Sequence, residues 1–369
     1  MKAEQISAQP HNQLEDDEDS GRAGAECTEI EPDFLTKLRD MTVNKKVEQL
    51  RRQRKNAVYI AGRLALAGQI TVFYAPPNTG KTLIALKLIS ESIANGTAGE
   101  NVFHINLDDT FDGLIEKADL ANRHGFHELG PDIFVKPDEN LHELVEKLVN
   151  EDSARKAVLI LDTVKKFVDV MDKKASSKFM TICRRFTAAG GTIIALAHVN
   201  KKKNDDDEGI PAGTSDILDD CDCAYVMHAL KDETGSEGKW RSVEFLQKKA
   251  RGPVVPEAIY KYQINHHDYS QMFHSVKLIE GDEVDRVRQQ NAIDSEKAHD
   301  LEAIEAISSE LDSSEPKAQK DILEALGQSG ISRRTLIDCL KRWDCPQEDG
   351  GLWKLTRGDS NSNCYRLLD

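Results

Sequence analysis

The sequence predicts an α/β fold in which helices flank a parallel sheet. From position 69 onward, short apolar strands alternate with amphipathic helices, which is typical of strand–helix–strand units. The alternating segments are strand 70–74, helix 82–95, strand 102–107, helix 111–124, strand 158–161, helix 177–189 and strand 192–197. Polar residues follow several of these strands, as expected where parallel strands end at one edge of a sheet.

The second half of the chain predicts an antiparallel extension and a small C-terminal domain. Strands are expected at 224–228, 243–249, 259–264 and 272–278. Residues 281–315 are highly charged, with Leu301, Ile304 and Ile307 at helical spacing, and predict a helical connector. Helices 318–326 and 332–343, followed by strands 352–357 and 365–368, predict a winged-helix domain over 316–369.

The net charge changes sign abruptly within the first 56 residues. Residues 1–35 carry ten acidic side chains against Lys2 and Arg22 and few apolar ones, which predicts a disordered acidic tail. Residues 36–56 carry eight Lys or Arg, with loosely helical apolar spacing, and predict a basic linker helix. This helix either joins the tail to the core as a solvated element or contacts nucleic acid. The α/β domain then spans 57–280.

Composition narrows the protein class. More than half of the net charge of −15 comes from the acidic tail, so the total charge does not exclude nucleic acid as a partner. Apolar runs stay well short of the roughly 20 residues that cross a bilayer. The seven cysteines are odd in number and scattered, which favours reduced thiols over a disulfide framework. We therefore expect a cytoplasmic protein without a membrane partner.

A phosphate-binding loop follows the first strand of the α/β domain. Backbone N–H groups of such a loop bind phosphate oxygens, Lys81 reaches the β- and γ-phosphates, and Thr82 offers its hydroxyl to Mg²⁺. Ala75 occupies the first position, where glycine is usual. The candidate nucleotide-binding residues are Ala75, Pro76, Pro77, Asn78, Thr79, Gly80, Lys81, Thr82 and Leu83. They predict binding of ATP with Mg²⁺.

Three further strand ends carry candidate catalytic groups. Asp162 ends an apolar strand and is expected to bind Mg²⁺ with Thr82; alternatively it only caps the next helix. Asp108 is favoured as the base that orients water, with Asp109 as its support and a helix cap. His198 either senses the γ-phosphate or is an ordinary strand histidine.

These segments resemble the RecA-like P-loop ATPases, specifically the DnaB-like and plasmid RepA-type hexameric helicases, and are similar to an AAA-type ATPase with a C-terminal winged helix. The resemblance covers roughly 58–276. It rests on the Asp108–Asp109 pair, on the strand that ends in His198, and on the Gln-Lys-Lys-Ala-Arg-Gly-Pro element at 247–253. Aspartate stands at 108, where glutamate is more common in the family.

The resemblance implies a ring of identical subunits, with a hexamer favoured and single-stranded DNA in its channel. Lys249 and Arg251 would then act on the nucleotide of the neighbouring subunit, whereas without the resemblance they would be a solvated edge. Lys201, Lys202 and Lys203 match a DNA-contacting loop, although acidic residues 205–208 follow directly.

The C-terminal domain offers further contacts to DNA. Arg333 and Arg334 begin the predicted recognition helix, with Ser332 and Thr335 beside them, and Arg357 lies on the predicted wing. Docking of another protein is the alternative role of this domain. The sequence thus predicts an ATP hydrolase that acts on DNA as a helicase or translocase; the alternatives are a regulatory ATPase whose nucleotide state controls assembly on DNA, and an interaction protein with a vestigial ATPase.

Overall fold

The computed structural model describes residues 34–40, isolated positions between 42 and 47, and 57–368 except 204–208, 212–214, 236–237, 266 and 359–360. Two units are distinguished, 1–56 and 57–369. In the first unit, helix α1 spans Phe34–Asp40 and falls in the predicted linker region. The predicted acidic tail lies outside the described residues, apart from the start of α1.

The second unit contains one large mixed sheet flanked by helices. Its helices are α2 (Lys81–Ala94), α3 (Phe111–His124), α4 (Pro137–Asn150), α5 (Lys173–Ala188), α6 (Ser215–Asp220), α7 (Tyr269–Ser275), α8 (Asp282–His299), α9 (Leu301–Glu310), α10 (Gln319–Ala325) and α11 (Arg333–Arg342). None of the helices among the described residues is both long and apolar enough to cross a membrane.

The main sheet has 11 strands within the described ranges, in the order β13-β12-β11-β9-β3-β7-β6-β4-β5, with β10 beside β11 and β8 beside β7. Strands β9, β3, β7, β6, β4 and β5 are parallel to their neighbours along this row. Strands β11, β12 and β13 pair antiparallel and form the predicted extension. The predicted α/β fold with a parallel sheet is therefore confirmed.

The strands have the following bounds. They are β3 (Ile70–Ala75), β4 (Asn101–Asn106), β5 (His127–Leu129), β6 (Ala157–Asp162), β7 (Thr192–Lys203), β8 (Gly209–Pro211), β9 (Cys223–Ala229), β10 (Glu233–Gly235), β11 (Gly238–Ala250), β12 (Glu257–Gln263) and β13 (Lys277–Ile279). A separate two-stranded sheet joins β1 (Tyr59–Ala61) and β2 (Ala65–Leu66).

The sheet is covered on both faces, because every residue of β3 and β6 is buried. On one face the core includes Phe73 and the apolar side of α2, such as Leu86 and Ile89. On the other face it includes Val72 and residues of α4 and α5, such as Phe179. Burial of both faces explains why these strands are continuous apolar runs rather than alternating patterns.

The predicted strand 272–278 is wrong over most of its length, and several short elements were not predicted. Residues 272–278 form the end of α7 and then β13, because Asp268 caps the helix by accepting a 2.8 Å hydrogen bond from the Gln271 amide. Tyr269, Phe273 and Val276 have helical spacing, and Phe273 is fully buried. Helix α4 and the short strand β5 were missed.

The C-terminal part contains the predicted two helices and strand pair. Strand β15 (Trp353–Arg357) pairs antiparallel with β16 (Asn363–Leu367), and β14 (Lys317–Ala318) adds to β16. Its core also includes Ala303 and Ile307 of α9, which was predicted as part of the connector. Assignment as a winged helix, like the domain boundaries, stays a prediction.

Candidate functional site

A sharp turn places the loop 75–80 between β3 and α2. Gly80 adopts a left-handed conformation with φ 90° at the start of α2, which favours glycine. A Cβ at this position would come within 2.8 Å of the Tyr262 ring. Tyr262 Oη also donates a 3.4 Å hydrogen bond to the carbonyl of Thr79, and the Thr79 hydroxyl donates to the Pro76 carbonyl at 3.0 Å. The loop is thus held by one hydrogen bond within it and by another from Tyr262 of β12.

The first turn of α2 meets the end of β6 at the centre of the site. Thr82 Oγ1 donates a 2.5 Å hydrogen bond to Oδ2 of Asp162. Asp162 is almost fully buried. Burial raises the pKa of Asp162, but His104, Thr82 and Lys81 outweigh it and hold the pKa below its usual value. The carboxylate therefore stays ionised.

Lys81 lies in the same cleft, one residue before Thr82. Burial lowers the pKa of its ammonium group, while the charges of Asp162 and Asp108 act in the opposite direction. The Lys81 ammonium group at the start of α2 is suited to bind an anionic ligand that displaces water from the cleft.

Asp108 follows β4 and faces two lysines from the segment after β6. Its carboxylate oxygens lie 3.2 Å from Lys165 Nζ and 3.1 Å from Lys166 Nζ. Burial raises the pKa of Asp108, but hydrogen bonds from Lys166 and Lys165 outweigh it and lower the pKa. His198 Nε2 lies 3.9 Å from Asp108 Oδ2, so the structure brings these two predicted residues together. Burial lowers the pKa of His198, and Lys81 and Lys165 lower it further.

Asp109 has a different set of partners from Asp108. Its carboxylate pairs with Lys117 of α3 and accepts a 3.3 Å hydrogen bond from Asn106 Nδ2. The cap of α3 is Thr110, whose hydroxyl accepts a hydrogen bond from the Gly113 amide, and not Asp109 as predicted. A Cβ at Gly113 would come within 2.1 Å of Asp109 Oδ1, so a side chain there would displace this carboxylate.

The cleft has a volume of about 630 Å³ and brings most of the predicted residues together. Pro77 to Leu83, Asp108, Asp109, Asp162 and His198 line it. Ala75 is buried at the end of β3, and Pro76 contributes its carbonyl to the loop. The lining residues that sequence reasoning missed are Asn106, Lys117, Arg241, Tyr262, Ile264, Tyr269 and Met272.

Arg241 is the missed residue with the most direct contact to the loop. Its Nη1 donates a 2.8 Å hydrogen bond to the carbonyl of Asn78. The other nitrogens form a two-pronged ion pair with Asp232 at 2.7 and 2.9 Å. Arg241 lies in an ordinary-looking stretch of β11, so the sequence gives no local signal for it. The sequence likewise gives no local signal for Lys117. Its ammonium group lies 4.7 Å from the centre of the Tyr269 ring.

Lys249 and Arg251 lie at the opposite end of the sheet from the loop of their own chain. Lys249 Nζ donates to the carbonyl of Leu218 at 2.9 Å, and Arg251 Nη1 to Asp222 Oδ1 at 3.3 Å. The Arg251 carbonyl accepts from Gln69, just before β3, whereas the loop follows the end of β3. The length of β3 separates the two by about 15 Å or more.

Among the candidate DNA contacts, Arg333, Arg334 and Arg357 do not line the cleft. Lys201, Lys202 and Lys203 end strand β7, but their side chains and residues 204–208 lie outside what the structure describes. Arg333 and Arg334 are exposed at the start of α11, where Ser332 caps the helix by accepting from the Thr335 amide. Arg357 Nη1 donates to Asn363 Oδ1 at 2.5 Å.

The oxygen atoms of Thr82 and Asp162 fit a magnesium ion. Mg²⁺ prefers hard oxygen ligands from one or two protein groups and completes its shell with phosphate oxygens and water. A hydroxyl and an ionised carboxylate in contact beside Lys81 and the start of α2 supply these ligands and leave room for phosphate in the cleft.

Comparison with known proteins agrees with this geometry. Residues 71–208 match the family model AAA, described as the ATPase family associated with various cellular activities. The matched segment starts in β3 and includes Lys81, Asp108, Asp162 and His198. No curated protein matches the chain. The match does not extend to the helicase group or to a winged helix, which stay predictions. Residues 71–208, which supply most of the cleft lining, thus match an AAA-type ATPase domain with a P-loop.

Proposed function

We propose that the chain is an ATP hydrolase that works on DNA as a ring-forming helicase or translocase, with a hexamer as the favoured assembly. One observation carries the hydrolase part: the loop lysine, the Thr82–Asp162 pair and the Asp108–His198 pair meet in a single cleft. Their sources are the ends of β3, β4, β6 and β7, where open α/β sheets bind ligands.

Phosphate binding is assigned to the loop and to Lys81. Loop N–H groups and the first turn of α2 would hold the phosphates, and Lys81 would neutralise charge on the β- and γ-phosphates. Thr82 and Asp162 would hold Mg²⁺, which neutralises developing charge on the phosphates when bound. Arg241 would keep the loop in place through its hydrogen bond to the Asn78 carbonyl.

Activation of water is assigned to the Asp108–His198 edge. Asp108 would orient the attacking water and accept its proton, with His198 beside the γ-phosphate. In the present arrangement, Lys165 and Lys166 pair with Asp108 and lower its pKa. A carboxylate with a lowered pKa is a weaker base, so binding of the nucleotide is expected to draw these lysines toward the phosphates and away from Asp108.

Completion of the site by a second subunit is supported by the position of Lys249 and Arg251. Both lie at the far end of the sheet and cannot reach the cleft of their own chain. In a ring of identical subunits they would approach the nucleotide of the neighbour, where a cation stabilises the charge of the transition state. The DNA part of the proposal is supported by the sequence resemblance and by the exposed arginines of α11.

The first test is steady-state ATP hydrolysis with and without single-stranded DNA, together with the mass of the protein in solution. We expect turnover to rise with DNA and the mass to be that of a ring. Turnover that is absent or indifferent to DNA would contradict the motor. Hydrolysis without strand separation on a forked substrate would favour the regulatory ATPase, whose nucleotide state controls assembly on DNA.

A further inference from the structure

A buried histidine links the Asp162 carboxylate to a second carboxylate across three neighbouring strands. His104 on β4 is fully buried; its Nδ1 lies 2.7 Å from Glu128 Oε2 on β5, and its Nε2 lies 3.5 Å from Asp162 Oδ2 on β6. In the sheet His104 lies directly opposite Glu128, and Asp162 lies opposite Asn106, two residues further along β4 on the same face. The three groups form one row behind the cleft.

The Glu128 end of this row is fixed by a further hydrogen bond. Glu128 is held in turn by Asn106, whose Nδ2 donates to Oε1 at 3.0 Å.

The row ends on the oxygen that also accepts the hydrogen bond from Thr82. Both Thr82 Oγ1 and His104 Nε2 contact Oδ2 of Asp162, at 2.5 and 3.5 Å. The Asp162 carboxylate is therefore contacted by Thr82 on the side of the cleft and by His104 on the opposite side. Partners behind a metal-binding group orient it, and their loss typically weakens metal affinity by about 10- to 100-fold.

We propose that His104 and Glu128 are positioning residues that orient Asp162 for a divalent cation bound with the nucleotide. The inference rests on the proposed function, because it concerns the same site. Neither residue lines the cleft, so they act through Asp162. Glu128 fixes the imidazole ring, and the ring sets the direction of the carboxylate.

Binding of a fluorescent ATP analogue to the full chain, titrated with Mg²⁺ and repeated in EDTA, tests the proposal. His104→Asn keeps a donor near Nδ1 for Glu128 and loses the contact with Asp162, whereas His104→Gln keeps a donor near Nε2. We expect His104→Asn to raise the Mg²⁺ concentration for half-maximal enhancement about tenfold or more, with a smaller rise for His104→Gln and unchanged binding in EDTA.

Glu128→Gln gives a second test, because it leaves the histidine in place and retains a hydrogen-bond acceptor. It should shift the Mg²⁺ midpoint in the same direction. Unchanged midpoints in both His104→Asn and Glu128→Gln would overturn the positioning role, as would an equal loss of binding with Mg²⁺ and in EDTA, the result of general unfolding. If the unaltered chain bound nucleotide without regard to Mg²⁺, the proposed function itself would fail, and this inference with it.

Discussion

Thr82 and Asp162 are 80 positions apart in the chain and share a 2.5 Å hydrogen bond. The contact joins the first turn of α2 to the end of β6, across the intervening strand β7. Two segments that the sequence marks separately, the phosphate loop and the acid at the end of an apolar strand, thus form one unit.

Lys81→Ala should reduce ATP turnover by about 100-fold or more, because it removes the cation placed for the phosphates. Lys87→Ala is the matched control, since Lys87 lies on the same helix but pairs with Glu91. Steady-state hydrolysis and nucleotide binding are the measurements. Normal turnover by the Lys81 variant would remove the central assignment.

Arg241→Gln should weaken nucleotide binding about tenfold, the effect of one charge-assisted hydrogen bond. The loss follows from the contact between Arg241 and the Asn78 carbonyl. Lys239→Ala is the control, because Lys239 pairs with Asp232 at 2.9 Å and does not line the cleft. Equal losses of nucleotide binding in the two variants would show that the ion pair with Asp232, and not the hydrogen bond to Asn78, accounts for the loss.

Arg251→Ala should retain nucleotide binding and lose hydrolysis, since the arginine is placed to act on a neighbouring subunit. Mixing this variant with Asp108→Asn should restore part of the activity, because mixed rings contain complete sites. Arg184→Ala is the control: Arg184 also contacts Asp222, at 2.8 Å. Absence of rescue would argue against action across a subunit boundary.

Replacing Arg333 and Arg334 by Glu should weaken DNA binding and reduce its salt dependence, while hydrolysis without DNA stays unchanged. Both side chains are exposed on α11, and neither lines the cleft. Lys320→Glu, an exposed charge change on α10, is the control. Unaltered affinity for DNA would favour a protein-docking role for this domain.

Ile307→Ala should lower the free energy of unfolding of the C-terminal part by about 2–5 kcal/mol, as large-to-small changes in a core do. Ile307 is fully buried among residues of α10, α11 and the small sheet. Leu301→Ala on the same helix is the control, because Leu301 is 52% exposed. Thermal unfolding followed by Trp fluorescence separates the two; similar stability would place α9 outside this core.

The sequence predicts what is local and misses what depends on distant contacts. The strand, loop and helix around Lys81 are consecutive, so their pattern is visible without knowing the fold. Arg241 reaches Asn78 over 163 positions, and nothing in its neighbourhood distinguishes it from other strand residues. His104 looks like one polar residue in an apolar strand until β5 and β6 supply its two carboxylates.

The position of some helices also depends on distant contacts that the sequence pattern does not show. The charged pattern of 281–315 indicates a helix but not the surface on which it packs, so the pattern predicts a connector, whereas α9 packs in the C-terminal core. Residues 272–278 are apolar enough to suggest a strand, and only the Asp268 cap and the spacing of Tyr269, Phe273 and Val276 distinguish a helix.

Two constraints act together on Gly80: the conformation of its backbone and the lack of space beside its Cα. Its left-handed φ of 90° disfavours any side chain, and the Tyr262 ring fills the space that a Cβ would need. A smaller residue in place of Tyr262 would open that space but leave the backbone conformation unchanged, and would also remove the hydrogen bond to Thr79. A second change at Tyr262 would therefore not relieve the strain of a substitution at Gly80, so the phosphate loop and β12 restrict each other's residues at these two positions.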